Sequence, residues 1–274
     1  MRTMDGAKRL ILNFLLAIGR KISDILIGLG SASRLFASTL RQLFKPPFEF
    51  SLLVDQLHNV GVGSFSVVIV TGIVTGMLTA VGVYYQMRKF AAEGLMGGFI
   101  ALAVIKELGP ILTAIVLSGR IGASITAELG SMRVTEQIDA MEAMAVSPVK
   151  YLVVPRFIAC TIMLPLLTVF ANLLAIIGGL GTSVFLFGMN SRFFLSQAKS
   201  TIYVNDLLIG LLKSACFGMV IALIGCYKGL SVNPAEGAEG VGNATTGSAV
   251  TSFMVVLMVD FILDQTIYGV ARVG

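Results

Sequence analysis

Five charged residues stand inside runs otherwise apolar enough to cross a membrane: Lys106 with Glu107, then Lys213, then Asp260 with Asp264. A charge at such depth costs at least about 2.5–3.5 kcal/mol on insertion scales, so it pairs with another charge, faces water or handles a charged substrate. Asp260 and Asp264 are four residues apart and share a helix face, and Lys213 is expected to form an internal ion pair with one of them. Lys106 and Glu107 precede Pro110, whose missing N–H deprives the Lys106 carbonyl of its helical donor. The expected result is a kinked, partly hydrated patch beside apolar walls, suited to an amphiphile with a charged head group.

Other chemistry has no residues to carry it. His58 is a single histidine ahead of the first apolar run, read as an interfacial polar residue. Cys160, Cys216 and Cys226 lie in apolar runs and read as small core residues. No set of His, Cys and carboxylates has metal-ligand spacing, and no nucleophile has a base partner, so neither a cofactor, a metal nor an enzyme active site is expected. The chain has no G-x-x-x-x-G-K-[ST] phosphate loop and no Gly-Lys dipeptide, so it is not an ATPase of that type.

The elements that must position these charges are membrane helices. The chain is 56% hydrophobic and only 13% charged, against roughly a quarter charged in soluble domains, which excludes a soluble globular protein. Thirty glycines suit helices that pack closely in lipid. Five spans are expected near 62–86, 98–119, 157–187, 207–228 and 249–269, each about the 20 residues that a 30 Å hydrocarbon core takes. The third, with Pro165 and Gly178-Gly179-x-Gly181, is expected to be tilted or broken. Gly72-x-x-x-Gly76 permits close helix contact in the first span and suggests a dimer seam.

Ahead of the spans, Ile11, Phe14, Leu15, Ile18, Ile22, Ile25, Leu26 and Leu29 form one stripe opposite a basic face. That pattern predicts an interfacial amphipathic helix, stopped at Pro46-Pro47, with a second short interfacial piece over 48–59. Residues 1–60 are thus expected to be interfacial helices and 61–274 a transmembrane domain. The net charge of +5 reflects membrane attraction and topology, with no nucleic-acid partner expected. With the N-terminus cytoplasmic, thirteen loop Lys and Arg fall inside and five outside, and an odd number of spans puts the C-terminus outside.

The polar block Gly119–Lys150 then reads as a cytoplasmic loop whose second half, about 133–147, is a short helix. Val134, Ile138, Met141 and Ala145 mark one face, Glu136, Asp139 and Glu142 the others, and Ser147-Pro148 ends it. Its acidic exposed charges are repelled by anionic lipid, which favours docking to a soluble partner.

The stretch KELGPILTAIVLSGRIGASITAELGSMRVTEQIDAMEAMAVSPVKYLVVPR closely resembles the signature of MlaE/YrbE-type permeases, and the likeness runs from about Leu52 to Tyr268 through GMLTAVGVYYQM and MVDFIL. The resemblance implies the homodimeric permease of an ABC transporter in a bacterial inner membrane. That transporter moves phospholipids or related lipids in support of outer-membrane lipid homeostasis, with a separate ABC ATPase and an MCE-domain protein on the outer, periplasmic side. It makes EQIDAMEAM the coupling helix, with Glu136, Gln137, Asp139, Met141 and Glu142 as docking residues. It also implies a lipid cavity near Leu78, Val81, Tyr84 and Tyr85, with Lys106 and Glu107 as its basic–acidic pair. The competing reading is a secondary transporter or ion channel built on the buried Lys, Asp and Glu residues; against it, no inverted repeat is visible. A membrane-embedded lipid transferase lacks its catalytic cluster.

Overall fold

The computed structural model describes Ser23 and residues 26–44 and 49–270, apart from the side chains of Tyr268 and Val270; the expected amphipathic stripe from Ile11 to Ile25 lies outside these. The described residues contain helices and no strands: α1 (26–43), α2 (Phe50–Arg88), α3 (Glu93–Val134), α4 (Gln137–Ala143), α5 (Val149–Phe185), α6 (Ser191–Thr201), α7 (Val204–Leu230) and α8 (Gly237–Val270). Among them, α2, α3, α5, α7 and α8 supply five helices long and apolar enough to cross a membrane. The five expected spans are present, four inside longer helices and the third, 157–187, running two residues past the end of α5.

Three expectations are corrected. The separate interfacial piece over 50–59 is instead the first part of α2, which runs 39 residues without a break. Gly61 lies within it, buried, with the Met163 side chain packed over that position. The third span is not broken either: α5 passes through Pro165 as helix. A proline costs one intrahelical bond and a clash, and here packing along the whole of α5 outweighs that. Finally, the first half of the polar block is no loop. The second span continues as α3 to Val134, a helix of 42 residues and about 63 Å at 1.5 Å per residue. Its polar outer face hides an inner one, for Ile125, Thr126, Leu129 and Gly130 are buried where α3 meets α7 and α8.

Small residues set the helix spacing. On α2, Gly72 and Gly76 lie against the backbone at Ala171 and Ala175 of α5, and Gly178 of α5 lies against the Ile73 carbonyl. The glycine pair expected at a dimer seam therefore packs α2 on α5 within one chain. The pattern reports close approach but does not name the partner. On α7, Gly210 meets the Ile105 carbonyl of α3 and Gly218 the Cys160 carbonyl of α5. A core of Leu117, Ile121, Leu129, Phe157, Leu164, Phe217 and Ile221 fills the end of the bundle that carries α4 and the middle above it. A second cluster, Ala80, Met96, Ile100, Val104 and Phe194, seals the other end, where α6 folds onto α3.

Helix α1 lies against the start of α5, with Phe36 and Phe157 ring centroids 6.1 Å apart. Leu26, Ile27, Leu29 and Phe44 remain exposed, as expected of an interfacial helix facing lipid.

Candidate functional site

Two features carry the chemistry: a knot of charges inside the bundle and a protruding corner at one end.

The knot is centred on Lys213. Its side chain is 0% exposed, and its ammonium lies 2.7 Å from Glu107, 2.7 Å from Asp260 and 2.8 Å from Asp264. The ammonium donates hydrogen bonds to Glu107 and Asp264, and Asp260 faces it as an ion pair, its Oδ1 accepting no hydrogen bond. Sequence spacing anticipated a pair with one aspartate; the structure joins both, and adds Glu107. Neighbours in a helix point different ways, so Glu107 turns to Lys213 while Lys106 meets Asp206 of α7 at 2.8 Å.

The local backbone explains the split. Residues Val104–Leu108 form a π-helical turn, in which the Gly109 N–H reaches back to the Val104 carbonyl. The wider turn ends at Leu108, two residues before Pro110. Extra residues in a π-turn re-aim side chains and recur at functional sites. Asp206 itself was missed. It sits three residues into α7, where its carboxylate accepts the Tyr203 N–H at 3.2 Å, so in sequence it reads as an ordinary helix cap.

The three carboxylates of the knot also approach one another closely enough to hold a cation. The Lys213 ammonium already occupies the centre between them. The arrangement is therefore an ion-pair cluster that ties α3, α7 and α8 together, with Glu107 reaching an open face at 40% side-chain exposure.

The corner is built from the end of α3, the short α4 and the start of α5. The expected helix over 133–147 is only Gln137–Ala143, because Glu136 and Ala145 adopt left-handed backbone at φ 58° on either side. Non-glycine residues held at positive φ are uncommon and cluster at functional sites. Of the expected apolar face, Ile138 is buried and Met141 half-buried, while Ala145 is exposed. Glu136, Gln137 and Glu142 point outward, and so does Met144, at 67% exposure, which the sequence reading passed over. Asp139 is held by an ion pair with Arg133 across the turn. Below it, the buried Arg156 of α5 pairs with Glu128 of α3 at 2.7 Å and donates to the Leu152 carbonyl at 2.6 Å. Ser147, just past α4, donates to Gln42 of α1 at 3.2 Å. The corner is thus clamped to two spans and to the interfacial helix.

A family model described as Permease MlaE matches residues 53–266 of this chain. The chain belongs to the MlaE permease family. It is a multi-pass membrane permease of the ABC-transporter kind. A Rickettsia bellii protein named as a probable ABC transporter permease is 33% identical over 261 residues, covering 95% of this chain and all of the relative. The Haemophilus influenzae intermembrane phospholipid transport system permease protein MlaE is 34% identical over 263 residues, 95% of this chain and 99% of its own. A Synechocystis probable ABC transporter permease is 38% identical over 215 residues, 78% of this chain and 81% of its own.

In this permease the residues expected to line a lipid cavity divide by role. Leu78 and Tyr85 of α2 are 68% and 58% exposed on an open face. Val81 is half-buried, and Tyr84 stacks on Phe187 just past the end of α5, with centroids 3.7 Å apart. Lys106 is 27% exposed.

Proposed function

We propose that the permease moves phospholipids or related lipids across or out of a bacterial inner membrane, driven by a separate ABC ATPase that docks on α4. The observation that carries this reading is the corner itself. A seven-residue helix with an acidic, methionine-tipped outer face is held by strained turns and by the Arg156–Glu128 clamp at the end of a continuous 42-residue helix. Force applied to α4 passes the tight turn at Thr135-Glu136 and reaches the Lys213 cluster along α3. Methionine suits a protein groove, and the lipid chemistry comes from the phospholipid transport named for the Haemophilus relative.

In this reading two copies face each other and enclose a cavity lined by Leu78, Val81, Tyr84 and Tyr85, with Lys106 and Glu107 at its wall. The α4 end is cytoplasmic, the C-terminus is periplasmic, and an MCE-domain protein receives or delivers lipid on the periplasmic side. ATP closure brings α4 of the two copies together and narrows the cavity.

The test is recovery of the tagged chain from native membranes in mild detergent, with bound proteins identified by mass spectrometry. The native chain brings down an ABC ATPase. A Glu136→Lys, Glu142→Lys variant, changed only on exposed side chains, retains at least about tenfold less of it, a loss equivalent to about 1.4 kcal/mol. Equal recovery with both would remove α4 as the docking element, and absence of any ATPase would remove the motor.

A further inference from the structure

Arg120 is a charge that neither the knot nor the corner uses. It lies in the second π-helical turn of α3, Ser118–Gly122, about where the expected span meets the polar level of the membrane on the α4 side. Its guanidinium crosses to α2, where it donates to the Ser64 hydroxyl at 2.5 Å. Gly63 makes room for it: a Cβ there would stand 2.6 Å from Nη2. Among the described residues no carboxylate lies within ion-pair distance of Arg120, an exposed side chain, whereas Lys106, Arg156 and Lys213, which are more buried, each have one. The nearest acid on the same face of α3, two turns on, is Glu128, and it is engaged by Arg156.

The unbalanced charge borders a groove of about 440 Å³ between the start of α2 and the end of α3, lined by Gln56, His58, Asn59, Arg120, Ser124 and Glu128. Its apolar floor is Val60, Ile121 and Ile125, and it is open to the outside. The donors Gln56, His58, Asn59 and Ser124 thus surround one guanidinium without an ion-pair partner, the Glu128 carboxylate at the groove's edge being held by Arg156, and apolar wall continues toward the membrane core. A guanidinium matches a phosphate with two parallel N–H bonds, and outside bulk water such charge-assisted pairs are the strong ones.

The geometry points to a second lipid site: the groove holds the phosphate of a phospholipid from the leaflet on the α4 side, with Arg120 as its anchor. The acyl chains lie along the adjoining face of α2, where Val62 and Phe65 are exposed. This site is at the opposite end of the bundle from Tyr84 and Tyr85, and it binds without ATP, so it stands apart from the transport reading.

The experiment is native mass spectrometry of the purified full-length chain in detergent. It is titrated with phosphatidylglycerol, with phosphatidylcholine and with inorganic phosphate as competitor. One tightly bound phosphatidylglycerol per chain is expected, with its Kd raised about tenfold in Arg120→Gln and less in Arg120→Lys. Asn59→Leu, on the facing wall, fills the groove without touching the Ser64 bond and raises Kd similarly. Phosphatidylcholine, which carries the same phosphate, competes, and millimolar inorganic phosphate does not. Unchanged lipid affinity in both Arg120→Gln and Asn59→Leu overturns the proposal. So does displacement by inorganic phosphate, which would make the site one for a free anion. Loss of self-association in Arg120→Gln with lipid binding intact also overturns it, assigning the groove to a second copy.

Discussion

Lys213→Met is expected to lower stability by about 3–5 kcal/mol, the usual result of removing one partner from a buried ion pair. Methionine matches the length of the lysine stem, so the change leaves little cavity. What it removes is the cation between three carboxylates that converge within hydrogen-bond distance of one point. Glu107, Asp260 and Asp264 then face each other in a low-dielectric interior, and α3 and α8 lose their shared tie to α7. Thermal unfolding in detergent, followed by size-exclusion of the heated protein, reads the effect as a fall of several degrees in Tm. Lys213→Met combined with Asp260→Leu and Asp264→Leu removes charge and counter-charge together and should recover most of it. Glu107→Gln alone should cost least, because that carboxylate is the most exposed of the three. An unchanged Tm in Lys213→Met, or no recovery in the triple variant, would show that the cluster does not hold the helices.

The outline of that cluster was legible before the fold. Lys213, Asp260 and Asp264 are visible because lipid forbids unpaired charge, so charges inside spans must find one another. Glu107's part in it was not, and neither was Lys106's partner, because both depend on a π-turn that rotates two adjacent side chains toward different helices. Asp206 was hidden by a second role as a helix cap. The five spans were legible from length and apolarity, but their ends were not. The polar run from Ala123 to Val134 looks like loop chemistry, and only burial against α7 and α8 shows it to be helix. The short helix of the corner was legible from its periodicity. Its true length was set by left-handed backbone at Glu136 and Ala145, which neither residue type announces.

Gly76→Val is the second large effect expected, and it separates packing from chemistry. A Cβ on Gly76 would overlap the Ala175 carbonyl and carbonyl carbon of α5, which are backbone atoms that no rotamer change can move aside. Overpacking a core that can adjust costs about 1–3 kcal/mol; here two long helices must separate, so the cost lies at or above the upper end of that range. The helices would part along their densest contact in the molecule, where Gly72 and Gly178 make the same approach a turn away on either side. Gly82, on the same helix and with open space about its Cα, is the control: Gly82→Ala should be neutral or slightly stabilising, by up to about 1 kcal/mol, since alanine is the better helix former. Fluorescence-detected size-exclusion and Tm of the two variants provide the comparison. A folded, monodisperse Gly76→Val with native Tm would mean that α2 and α5 are not locked together. Because α2 carries Leu78 and Tyr85 while α5 continues the corner that bears α4, the same lock fixes the proposed lipid-facing surface relative to the docking helix. A milder Gly76→Ala variant that still folds should therefore lose transport before it loses the ATPase.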